Sequence, residues 1–118
     1  MVARGEVWWY EHPDAGRRPY LVITRSEACE VLHQVLAVPA TRTTRGIPTE
    51  VTVDETDGMP ELSVFSVNNL SLVRKSLLTQ RLTILQPERM SEVWAALVAA
   101  TAPDRERVTV EVVHVVER

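Results

Sequence analysis

The residues in this sequence that could do chemistry are mostly arginines and threonines placed at turns. Gly16-Arg17-Arg18-Pro19 puts two guanidinium groups where a turn gives way to an extended segment. Val38-Pro39-Ala40-Thr41 ends another such segment at the mouth of a loop carrying Arg42 and Arg45. A guanidinium is permanently charged and presents planar N–H donors, which suits phosphate oxygens. Taken alone, adjacent arginines are more often solvated surface charges, and a strand-end threonine more often bonds to its own backbone. The better-known catalytic patterns are absent: no Gly-x-x-x-x-Gly-Lys-Ser/Thr loop, no His-Glu-x-x-His, no Cys-x-x-Cys and no Gly-x-Ser-x-Gly. His12, His33 and His114 are far apart and lack metal-ligand spacing. Cys29 lies between Glu27 and Glu30, whose charges disfavour a thiolate.

Short extended segments must position these groups. Glu6–Tyr10 alternates, with Trp8 and Tyr10 on one face and Trp9 on the other. His12-Pro13-Asp14-Ala15-Gly16 is turn chemistry, and Pro19–Thr24 reads as the next strand. Gln34–Val38, Thr49–Val53, Leu62–Val67 and Arg81–Leu85 continue the set, a spacing that predicts a small barrel or coiled antiparallel sheet. One helix is expected from Pro87, with Met90, Val93, Trp94, Leu97 and Thr101 at 3–4 spacing and Pro103 beyond its end. Val108–Val112 alternates again and predicts one more strand.

The 118 residues make one domain, 45% hydrophobic and 25% charged, which excludes a mainly disordered chain. A net charge of −3 excludes a polybasic nucleic-acid coat, so any nucleic acid must be gripped by a local basic patch. Charge comes in blocks that allow such a patch. Arginines 17, 18, 25, 42 and 45 precede the stretch 46–73, which holds Glu50, Asp54, Glu55, Asp57 and Glu61 and no Lys or Arg. A single cysteine fits a reducing compartment. With no basic leader and no run of about 18 apolar residues, neither secretion nor a membrane span is expected, and the location read from the sequence is cytoplasmic.

Several of these segments, in order, resemble the MazF/PemK family of toxin endoribonucleases from toxin–antitoxin systems. Arg4-Gly5-Glu6-Val7-Trp8-Trp9 is similar to the family's opening segment. Gly16-x-Arg18-Pro19, Val38-Pro39-x-Thr41, Gly46-x-Pro48-x-Glu50-Val51, Lys75-Ser76-x-Leu78 and Pro87-Glu88-Arg89-Met90 follow. None is specific singly; their ordered combination over residues 3–101 carries the resemblance. It implies a mainly β fold with one C-terminal helix, an SH3-like β-barrel of the MazF/CcdB type. It also implies a homodimer that cuts single-stranded RNA without a metal or other cofactor, and a cognate antitoxin protein as partner. The family's catalytic arginine, the one before proline, falls on Arg18, and its catalytic threonine on Thr41.

In such a reaction the RNA 2′-hydroxyl attacks the adjacent phosphorus, leaving a 2′,3′-cyclic phosphate and a 5′-hydroxyl. Arg18 would neutralise the phosphorane-like transition state and supply a proton to the leaving oxygen, and Thr41 would donate toward the same centre. Arginine is too weak an acid to serve readily as the base, which stays unassigned. His12, Arg17, Arg42, Arg45, Asn68 and Asn69 are further candidates for holding RNA. Asn68-Asn69 stands where many relatives carry Asp-Gln or Asp-Asn, a departure that bears on base recognition more than on chemistry. The expected organisation is a toxin domain over 1–102 and an extension over 103–118, an added strand or tail. Two other readings stay open: a non-enzymatic gyrase poison of the CcdB type, disfavoured by Trp94 lying inside the helix, and a module that holds RNA or antitoxin without cutting.

Overall fold

The structure is a computed structural model and describes residues 1–103. Its elements are β1 Glu6–His12, β2 Gly16–Val22, α1 Ser26–Val31, β3 Gln34–Thr41, β4 Glu50–Val53, β5 Ser63–Ser66, β6 Ser71–Arg74, β7 Leu78–Ile84 and α2 Pro87–Thr101. This is the expected mainly β chain with a helix after its last described strand. The strand expected over Val108–Val112 lies outside the described residues. Among those residues no helix is long and apolar enough to cross a membrane.

All pairings are antiparallel, and their path runs β4-β5-β3-β2-β1-β7, with β6 beside the first half of β3. The two ends of that path do not pair among the described residues, so the expected barrel is corrected to an open sheet. The reason is local. β4 ends after four residues in a 3-10 turn, Glu55–Asp57, capped by Asp54 and closed by Gly58 at φ 90°. Side chains span the remaining gap. Thr83 of β7 donates its hydroxyl to the Asp57 carbonyl at 3.0 Å, and Arg89 of α2 grips the Asp57 carboxylate with two nitrogens at 3.1 Å.

Strand alternation sorts the apolar side chains into two clusters. Val7, Leu21, Val38, Val53 and Phe65 pack against Met90, Val93 and Ala96 of α2, the face that its 3–4 spacing predicts. Pro87 occupies the first turn of α2, and Gln86 supplies no side-chain cap. Tyr10, Val22, Val35, Ala37 and Val73 form the second cluster with Cys29 of α1. Neither α1 nor β6 shows in the sequence pattern, because both are set by tertiary contact. α1 has six residues and is anchored by buried Cys29; β6 buries only Val73 and is a strand because its backbone pairs with Gln34–Ala37.

Glu6 opens β1 as a buried carboxylate. Its Oε1 accepts from the Ala3 N–H at 2.8 Å and the Trp8 indole at 3.1 Å, and its Oε2 accepts from Arg81 at 2.9 Å. Burial raises its proton affinity, but these donors together outweigh burial and leave the pKa below the ordinary carboxylate range. The unfolded chain therefore takes up this proton first as pH falls. The stabilisation is complete above the unfolded value of about 4.3 and drains away as pH drops through the folded one. Glu6→Gln is expected to cost about 2 kcal/mol at neutral pH and to flatten the acid limb of stability. Urea midpoints at neutral pH and near pH 3.5 check this; an unchanged acid limb would exclude Glu6 as a source of it.

Candidate active site

β2 and β3 run antiparallel with Tyr20 opposite Pro39. The ladder ends there, and just beyond it Arg18 of β2 and Thr41, the last residue of β3, lie at the same end of this strand pair. Pro19 and Pro39 fix φ in both strands at this junction and stiffen it. Arg18 and Thr41 line a cleft of about 400 Å³, with Trp9, Arg17, Arg42, Pro60 and Glu61 among its other walls.

The arginines of the cleft differ in what holds them. Arg17 stacks on the Trp9 ring with its guanidinium carbon 4.3 Å from the ring centroid. Its Nε lies 3.0 Å from Glu11 Oε2 in an ion pair, and it donates to Gln80 Oε1 at 2.8 Å, which fixes its plane across β1 and β7. Arg42 donates through Nε to Glu61 Oε2 at 2.8 Å. Arg18 alone among them has no carboxylate partner among the described residues. Its charge is therefore the one left free to meet an anion. Thr41 accepts the Thr43 N–H at 3.2 Å, which uses an oxygen lone pair and leaves the hydroxyl proton free for donation.

The remaining sequence candidates lie elsewhere. Arg45 sits on the β3–β4 loop, and its backbone N–H, like that of Gly46, donates to Glu50 Oε1, at 2.8 and 3.0 Å. The Arg45 N–H first, then Gly46 and its neighbours, lower the Glu50 pKa, so this carboxylate is a fixed anion that shapes the loop. Asn68 donates to the Thr49 hydroxyl at 2.6 Å; Asn68 and Asn69 are exposed and outside the cleft wall. His12 ends β1 at the turn into β2. Its Nδ1 accepts the N–H groups of Asp14 and Ala15, each at 3.0 Å. In neutral His12 the proton then sits on Nε2, a donor to solvent and not a base.

Four residues that position the site went unread in the sequence. Glu11, Gln80 and Glu61 have no local signal, since their partners are distant in the chain. Glu50 had one, standing in the Gly46-x-Pro48-x-Glu50 segment. A second, larger cavity of about 1010 Å³ is lined by Trp8, Cys29, His33, Arg74 and Lys75. Its thiol is no nucleophile: burial, the largest influence, raises the Cys29 pKa, and Sγ donates to the Thr24 carbonyl at 3.4 Å. The conclusion matches that from sequence, but burial and not the neighbouring acids is the main cause.

Comparison with known proteins places this geometry. The family model described as PemK-like, MazF-like toxin of type II toxin–antitoxin system matches residues 3–101. A probable endoribonuclease MazF5 of Mycobacterium tuberculosis is 37% identical over 101 residues, 85% of this chain and 93% of the relative. A probable endoribonuclease MazF2 of the same species is 32% identical over 85% of this chain and 98% of its own length. Among solved structures, an endoribonuclease in complex with its cognate antitoxin from Mycobacterial species superposes with a TM-score of 0.79 at 26% identity, covering 87% of this chain and 98% of that one. The M. tuberculosis toxin MazF-mt6 superposes at 0.77 with 27% identity, over 84% and 98%. A sheet this similar, matched over residues 3–101, makes the chain a member of the PemK-like, MazF-like toxin family of type II toxin–antitoxin systems.

Proposed function

We propose that this chain is an endoribonuclease toxin that cuts single-stranded RNA in the Arg18–Thr41 cleft, works in the cytoplasm as a homodimer and is silenced by a cognate antitoxin. The observation that supports this reading is a guanidinium with no carboxylate partner among the described residues, lining the same cleft as a threonine whose hydroxyl proton is free and two further arginines. RNA brings its own nucleophile, so the protein must supply charge and protons. As O2′ bonds to phosphorus, Arg18 meets the growing charge on the non-bridging oxygens, and Thr41 donates a hydrogen bond to the same oxygens. The P–O5′ bond then breaks and the leaving oxygen takes a proton from the Arg18 side, restored from water. Arg17 and Arg42, each held by a carboxylate, grip flanking phosphates, with Arg45 further along the loop. Residues 1–102 form the toxin domain and 103–118 an extension of it.

The test is end-group analysis of RNA cut in the presence of a chelator. Fragments ending in a 2′,3′-cyclic phosphate and a 5′-hydroxyl are expected at undiminished rate; a chelator-sensitive reaction or 5′-phosphate ends would overturn the proposal. Thr41→Val keeps the shape and removes one donor, and is expected to lower kcat by about 10²-fold with little change in KM. Single-turnover kinetics on a short RNA measure it, and equal effects on binding and turnover would assign Thr41 to holding RNA instead.

A further inference from the structure

An acid in a cleft built to hold phosphates needs a reason, since its charge opposes the substrate. Among the described residues Glu61 is the only carboxylate on the wall of this cleft. It stands three residues before Val64, the β5 partner of Thr41, so it flanks the same strand end from the side opposite β2. Its Oε2 is held by Arg42 Nε at 2.8 Å, while no described donor takes Oε1. Half of the side chain is open to solvent, at 50% exposure. The carboxylate is thus oriented through one oxygen and open at the other.

We propose that Glu61 is the general base of the cleavage reaction, taking the 2′-hydroxyl proton on Oε1. This rests on the nuclease reading above. The reaction needs a base, His12 is committed to its turn, and a guanidinium that is already protonated has no free site to take up the 2′-proton. The other charged groups lining this cleft are Arg42, just after β3 and paired with Glu61, and Arg17 and Arg18 from β2. As the O2′–P bond forms, the O2′–H bond breaks and its proton passes to Oε1; the P–O5′ bond breaks with its electron pair leaving on O5′. Glu61 then releases the proton to water.

The test compares Glu61→Gln, Arg42→Ala and Arg18→Ala on one single-stranded RNA. Glutamine keeps an oxygen for Arg42 and loses the basicity. Glu61→Gln is expected to lower kcat by about 10²- to 10³-fold, leave KM within about threefold, and abolish the acid limb of the kcat–pH profile. Arg42→Ala should raise KM and keep that limb. Overturning results are a Glu61→Gln protein within about threefold of the parent, or one that retains the acid limb. A matching loss in both the Glu61 and Arg42 variants, without a change in pH profile, would reduce Glu61 to a residue that positions Arg42. If Arg18→Ala also cuts normally, the nuclease site itself is misplaced; if Arg18→Ala is inactive and Glu61→Gln is not, only the base is.

Discussion

Arg18→Ala is expected to cut single-stranded RNA about 10³-fold more slowly than the parent, a loss of about 4 kcal/mol of transition-state stabilisation, while remaining folded. The size follows from what Arg18 alone provides. Arg17 is committed to Trp9, Glu11 and Gln80, and Arg42 to Glu61, so neither can move in to replace it. Its exposed side chain carries no packing, so removal should leave the fold intact. Arg18→Lys restores charge without the planar pair of donors and should recover only part of the rate. Primer-extension mapping on a long RNA, with the melting curve of each variant alongside, reads both quantities. Cleavage by Arg18→Ala at the parent rate would remove Arg18 from the reaction.

The largest effect on stability is expected far from the cleft, at Gly58. It ends the turn after β4 at φ 90°, where a side chain costs about 1–2 kcal/mol in backbone strain alone. A Cβ there would also run into the Thr83 hydroxyl, the group that donates to Asp57 and bridges the open ends of the sheet. Gly58→Ala is therefore expected to lose about 3 kcal/mol in all, or roughly 15 °C in melting temperature. The steric part is separable. In a Thr83→Ala background, which lacks the hydroxyl that the new Cβ would meet, the same substitution should cost less, whereas the backbone strain stays. A Gly58→Ala protein that melts within about 2 °C of the parent would show that this junction does not hold the sheet together.

Much of the architecture is written in local pattern. Alternation over Glu6–Tyr10 and the 3–4 spacing after Pro87 depend only on near neighbours, so β1 and α2 could be read directly, with ends displaced by a residue or two. α1 and β6 could not, because six and four residues give no periodicity to read. The bridging of the sheet's two open ends was equally hidden. It turns on a strand of four residues and on Gly58 meeting Thr83, a contact between segments that share no local signal.

What the chain of residues determined by itself was the chemistry available: guanidinium and hydroxyl groups at turn and strand ends, in a sequence without the familiar phosphate-loop, zinc-binding or paired-cysteine motifs. Which of those groups is free was decided only in three dimensions. Arg17 finds Gln80 63 positions away and Arg42 finds Glu61 19 positions away, and both pairings depend on which strands lie side by side. The pairing of β2 with β3 also brings Arg18 and Thr41 to one cleft. Residue type is a property of one position, but an unpaired charge is a property of everything near it, and long-range strand pairing alone sets what is near.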